Sequence, residues 1–138
     1  MQVSPQTEPD HFTGEAGFKL LHAIEVGGQE RDSKAAAEGR GEGTWNTHPG
    51  NVSLVRYDPG ARSHWHSHSG GQLLYIVEGE GWVQSRGDEP CIVRPGDSVT
   101  FATGEVHWHG AARGSILAHV TVTTGKPTWY EESPAPPE

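Results

Sequence analysis

His66 and His68 stand one residue apart in a stretch that runs from Gly60 to Gly79, and His107 closes a second stretch that passes through Gly96 and Gly104. In an extended strand alternate side chains share a face, so His66 and His68 can turn both imidazoles toward one point. A turn then brings Gln72 back toward them, and a second hairpin supplies His107. Three neutral imidazoles and one carboxamide oxygen form a ligand set for a divalent metal with one or two positions left open. Open positions distinguish a catalytic metal site from a closed structural one. Manganese, iron, cobalt, nickel, copper and zinc all accept such ligands, and affinity alone favours copper or zinc.

Gln72 sets the electrostatics. A carboxylate there would lower the charge of the complex by one, whereas an amide oxygen leaves it at about +2 and favours an anionic guest such as hydroxide, an enolate, an alkoxide or cyanide. The competing reading of Gln72 is a hydrogen bond near a metal whose site water fills. For His66, His68 and His107 it is a surface histidine cluster. His64 and His109 each lie two residues from a proposed ligand, on the same strand face; they read as pocket-rim or supporting groups, with plain solvent exposure as the alternative.

The elements that must position these groups are short strands. Nineteen glycines and ten prolines accompany few helical patterns, which points to strands joined by tight turns. From residue 44 onward the strand signals are Asn51–Tyr57, Ser63–Ser67, Gln72–Glu78, Gly81–Arg86, Cys91–Val93, Ser98–Ala102, His107–Ala111 and Ser115–Thr123. The turns between them fall at 79–81, 86–88 and 95–97. That spacing predicts an antiparallel sandwich or barrel. An earlier strand is expected over Phe18–Val26. Residues 1–12 read as a flexible polar arm, 13–130 as one domain, and 131–138 as a Pro-rich tail that frays after docking Trp129 and Tyr130. The polar, Gly-rich segment 27–44 reads as a loop insert without function, the alternative being a lid.

A chain of 138 residues makes one domain around a single core. Its net charge of −8, with only 10 Lys and Arg and no basic cluster, argues against nucleic acid and anionic membrane surfaces as partners. No apolar run approaches the roughly 18 residues of a membrane span. The first residues lack the basic and apolar blocks of a signal peptide. Cys91 is the one cysteine, so no internal disulfide forms, a reducing cytoplasm is the expected location, and Cys91 reads as a small core residue.

The two stretches resemble the paired motifs of the cupin superfamily. The first motif is Gly, five residues, His, one, His, three or four, Glu, six, Gly. Gly60, His66, His68 and Gly79 fall in register, with Gln72 in place of the Glu. The second is Gly, five residues, Pro, one, Gly, two, His, three, Asn. Gly96, Gly104 and His107 match, while Ala102 and Ala111 replace the Pro and the Asn. The resemblance implies an all-β, cupin-type double-stranded β-helix, a jelly-roll barrel.

Over residues 50–123, with Trp65, Gly71, Gln72, Gly81–Gln84 and Gly104–Ala111, the chain is similar to the bacterial manganese-dependent hydroxynitrile lyases. That likeness implies a lyase, manganese at His66, His68, Gln72 and His107, and His119 as general base. It also implies Ser53 and Val55 as pocket-wall positions. The local pattern agrees for His119, which shares one strand face with Leu117, Thr121 and Thr123 while Ile116, Ala118, Val120 and Val122 form the other. An exposed strand histidine is the plainer alternative. A histidine with pKa near 6.5 suits proton transfer at neutral pH.

The leading functional reading is therefore acid–base chemistry on a small carbonyl or hydroxyl compound. A dioxygenase using iron, copper or nickel, a polyketide cyclase or isomerase, and a non-catalytic metal- or ligand-binding barrel are the alternatives. Apolar outer strand faces make a homodimer the expected assembly.

Overall fold

The computed structural model describes residues 4–5, 11–24 and 50–138. The segment 27–44 and most of the arm 1–12 lie outside these residues. Among those described there are thirteen strands and no helix. They are β1 (Ser4–Pro5), β2 (Phe12–Thr13), β3 (Ala16–Ile24), β4 (Gly50–Tyr57), β5 (Arg62–Ser63), β6 (His66–His68), β7 (Gln72–Gly79), β8 (Gly81–Ser85), β9 (Cys91–Val93), β10 (Ser98–Phe101), β11 (His107–Ala111), β12 (Leu117–Thr124) and β13 (Pro127–Trp129). Among the described residues no helix is long and apolar enough to cross a membrane.

One sheet runs β1-β3-β4-β12-β7-β10. The other runs β13-β6-β11-β5-β2, with β8 joined to β11 and β9 to β8. All pairings are antiparallel, and the sheets curl toward one another as a jelly-roll barrel. The core between them is Val55, Tyr57, Leu74, Ile76, Phe101 and Leu117 from the first sheet, packed on Val83, Val93 and Ala111 from the second and on Ala61 just before β5.

Register grades the barrel interior from polar to apolar. In the first sheet Thr123 pairs with Asn51 on one side and Gln72 on the other. The next inward row is Ser53, Thr121 and Leu74; then come Val55, His119 and Ile76, and last Tyr57, Leu117 and Gly79. Side chains on one strand face recur every second residue, so each row is set by pairing alone. Polar rows at one end leave room for a guest, and apolar rows at the other close the core.

Three expectations change here. The strand read over Ser63–Ser67 is broken into β5 and β6. At the break the Trp65 backbone pairs with the tail, its N–H donating to Glu131 O at 3.0 Å and its carbonyl accepting from Tyr130 at 2.8 Å. The His64 N–H donates to His11 O at 2.8 Å. The tail at 131–138 is pinned rather than frayed. The buried Ser133 hydroxyl donates to Ser63 O at 2.6 Å, and Arg113 Nε donates to Pro136 O at 2.7 Å. Cys91 is exposed, because β9 is the outermost strand beyond β8 and only Val93 of its three residues is buried.

Gly79 ends β7 with φ near +79° against the backbone of Ile116. A Cβ there would collide with the Ile116 carbonyl in a conformation that L residues rarely adopt. We expect Gly79→Ala to cost about 2 kcal/mol or more, read as a lowered denaturation midpoint with an unchanged denaturant slope.

Candidate metal centre

β6, β11 and β7 bring His66, His107 and Gln72 together. His66 and His107 are direct partners across the β6–β11 pairing, and both are buried. His66 Nδ1 lies 2.8 Å from His64 O, and His107 Nδ1 lies 2.8 Å from Glu105 O. A carbonyl can only accept, so each Nδ1 carries the ring proton and each Nε2 keeps its lone pair. This is the arrangement in which a main-chain carbonyl holds a metal-binding imidazole.

His107 Nε2 faces Gln72 Oε1 at 2.9 Å. Gln72 Nε2 donates to Thr123 Oγ1 at 3.0 Å, which aims the amide oxygen at the imidazole. Two lone pairs thus confront one another, an arrangement that is repulsive by itself and becomes attractive when both bind one cation. Glu105 is fixed in turn. Its carboxylate accepts from the Ser85 hydroxyl and from Ala102 N–H, the latter at 2.8 Å. These bonds, the Ser85 bond foremost, hold its pKa below the usual carboxylate value.

His68 and His109 complete the cluster in a way the strand alternation did not foresee. The ligand atoms of His66, His107 and His109 all lie within 4.8 Å of one another. His68 is not in that group, although its ring lies 5.0 Å from that of His66 and 5.9 Å from that of His107. Both His68 nitrogens are buried without a hydrogen-bond partner, as is His109 Nε2. Each such orphan costs about 1–3 kcal/mol. The Nε2 lone pairs of His66 and His107, the unpartnered nitrogens of His68 and the Gln72 carboxamide oxygen fit a divalent metal.

Burial also keeps the imidazoles neutral. Desolvation lowers His68 and His107 to about 4 and His119 to about 3. It holds His66 and His109 well below 6.5, with neighbouring histidines adding to the effect. Ligands free of protons at neutral pH are what metal binding requires.

A cavity of about 210 Å³ opens onto the cluster. Ser53, Val55, Thr121 and Thr123 line it, together with His66, His68, Gln72 and His109. Phe12, Phe18, Tyr57 and Trp129 form an aromatic side that no local pattern announced. Trp129 stacks on His11 at 4.3 Å and lies 4.7 Å from His66. Phe12 and Trp129 reach the cavity through pairings distant in sequence, β2 with β5 and β13 with β6.

Two expected pocket residues are placed differently. His64 is not among the cavity-lining residues, because the chain leaves the strand between β5 and β6. Its carbonyl, rather than its ring, serves the site through His66. His119 is fully buried and not among the lining residues either. It sits two inward rows below Gln72, with its ring 5.1 Å from that of His109 and both nitrogens without partners.

A Cupin domain profile matches residues 53–124, more than half of the chain, and the chain belongs to the cupin family. Over 68 residues it is 44% identical to (R)-mandelonitrile lyase of Granulicella tundricola, covering 49% of this chain and 52% of that one. The match therefore spans about half the length of that curated relative. The fold is similar to a crystal structure of a cupin-like protein from Thermotoga maritima, with TM-score 0.73 and 32% identity over 96% of this chain and 88% of that one. It is also similar to the polyketide cyclase RemF from Streptomyces resistomycificus, with TM-score 0.63 over 98% of this chain and 78% of that one. At 15% identity the latter likeness is of fold alone.

Removing either carbonyl-tied imidazole tests the metal set directly. We expect His66→Ala and His107→Ala to weaken metal binding by more than the roughly 10–100-fold that a lost supporting hydrogen bond costs. Elemental analysis after gel filtration reads this, and full metal retention in both variants would exclude the assignment.

Acid should unfold the metal-free protein. These histidines have folded pKa values below the unfolded 6.5, so the unfolded chain takes up protons first as pH falls. Their contribution is complete above about pH 6.5 and shrinks toward pH 4 and 3, the folded values of His68, His107 and His119. We expect the melting temperature to fall by roughly 10 °C between pH 7 and 4.5, measured by scanning calorimetry.

Proposed function

We propose that this cupin is a metal-dependent lyase acting on a small α-hydroxynitrile or a related carbonyl or hydroxyl compound. The observation that carries the reading is the convergence of His66, His107 and Gln72, with unpartnered nitrogens on His68, at a cavity that admits a small guest. The mandelonitrile lyase likeness, 44% over 68 residues, supports the reaction class.

His66, His68, Gln72 and His107 would hold the metal; manganese is proposed from the resemblance to the lyases. Bound there, a divalent ion supplies Lewis acidity toward a carbonyl or hydroxyl oxygen. The aromatic side of the cavity takes the organic group of the substrate and excludes water. Ser53, Thr121 and Thr123 add hydroxyls to the lining.

The proton acceptor we assign to His119. Both of its ring nitrogens are buried without a partner, and its strand neighbour Val55 lines the cavity. On this reading the hydroxyl of the cyanohydrin reaches past the Ser53–Thr121 row, and a ring nitrogen of His119 takes its proton as the carbon–carbon bond breaks. The bonding pair leaves with cyanide, the oxygen becomes the aldehyde carbonyl, and the proton returns to release hydrogen cyanide. We further propose a homodimer, supported by exposed Leu73, Tyr75 and Val77 on β7, and a reducing cytoplasmic setting, supported by the single cysteine.

The test is cleavage of aromatic cyanohydrins by metal-loaded protein with and without oxygen. Equal rates in both support the lyase, and turnover that requires oxygen selects a dioxygenase instead. We expect His119→Ala to retain metal while turnover falls by about 10²–10⁴-fold. Undiminished turnover would remove His119 from the chemistry.

A further inference from the structure

His109 offers a ring nitrogen within 4.8 Å of those of His66 and His107, yet its hydrogen bonding sets it apart from them. Those two rings give their Nδ1 protons to carbonyls. His109 Nδ1 instead meets the hydroxyl of Tyr57 at 3.0 Å, with both residues buried. Among the described residues this is the one hydrogen bond that the Tyr57 hydroxyl makes. Were His109 Nδ1 to donate, the tyrosine proton would be left buried without an acceptor. With tyrosine donating, that proton is satisfied and the ring proton of neutral His109 must sit on Nε2. His109 Nε2 has no partner in the protein, and the ring lines the cavity.

We propose that Tyr57 locks His109 in the Nε2–H tautomer, which keeps His109 out of the metal's ligand set and makes it a hydrogen-bond donor to a small anion held at the histidine cluster. The guest class is cyanide, an alkoxide or another compact anion. The identity of that guest rests on the metal-centre reading; the tautomer does not. Tyr57 is a positioning residue, because it acts on the guest only through His109. The sheets enforce the contact: Tyr57 ends β4 in the apolar row, while His109 lies at the centre of β11, paired with Val83. A ring at this place with its lone pair facing inward would compete for the metal. One facing inward with its proton repels a cation and attracts an anion.

Nitrogen-15 NMR of the imidazoles in metal-free protein reads the tautomer directly. The expected pattern is Nε2–H for His109 in the native chain and a mixture of both tautomers in Tyr57→Phe. An Nδ1–H pattern in the native chain, or an unchanged pure Nε2–H pattern in the folded variant, overturns the proposal. Azide titrated into zinc-loaded protein by calorimetry tests the donor. His109→Ala should keep one zinc per chain and bind azide about tenfold more weakly, and His109→Gln, which retains an N–H, should regain part of the loss. Zinc lost in His109→Ala, or azide affinity unchanged, rejects the role. Failure of the native protein to take up zinc at all would instead reject the metal centre, leaving the tautomer measurement to stand alone.

Discussion

The Nδ1 proton of an imidazole can be tied down by a main-chain carbonyl, and the rest of this site depends on that bond being made twice. His66 and His107 each bind the carbonyl two residues upstream, at 2.8 Å. Each ring is thereby fixed in rotation and tautomer, with its lone pair turned inward. The carbonyls are held in place too, at His64 by the break between β5 and β6 and at Glu105 by a turn bonded to Ser85 and Ala102. Gln72 is locked through Thr123 so that its oxygen faces the same space. None of these bonds is strong alone, but together they preorganise electron-rich atoms that repel one another until a cation joins them.

Preorganisation of this kind needs a dry setting, and the graded barrel provides it. Apolar rows at Val55, Ile76, Tyr57 and Leu117 exclude water from the floor of the site, so the histidines above stay neutral. Polar rows at Ser53, Gln72, Thr121 and Thr123 keep the other end open to a guest. The same low polarity that lowers the imidazole pKa values makes every bare nitrogen costly in the empty protein. Binding a ligand relieves that cost, so the stability of the fold and its capacity to bind are linked.

Much of the arrangement was legible in the residues. Alternation put Thr121 and Thr123 on one face with His119, the spacing of turns and strands pointed to an antiparallel sandwich or barrel, and the family resemblance added Ser53 and the jelly roll. Gln72 and His107 follow from the same motifs. Legibility failed where an alternation was carried across a break. His64 and His66 looked like neighbours on one face, but the tail pairs with Trp65 between them and turns the chain. Tyr57, Phe12, Phe18 and Trp129 carry no local mark of a cavity wall, because they meet it through partners far away in sequence. Their aromatic character was visible; their destination was not.

By itself the sequence determined which atoms were available: five histidines and a glutamine at strand spacing, in a chain whose turns permit only short antiparallel pairing. Alternation along a strand is a local property of the extended backbone, so facing could be read residue by residue. Depth and tautomer belong to the tertiary structure alone. Only the register between β12, β4 and β7 set His119 two rows below Gln72, and only the approach of β4 to β11 put the Tyr57 hydroxyl on His109. Both follow from contacts between strands remote in the chain, and no local pattern encodes the distance between them.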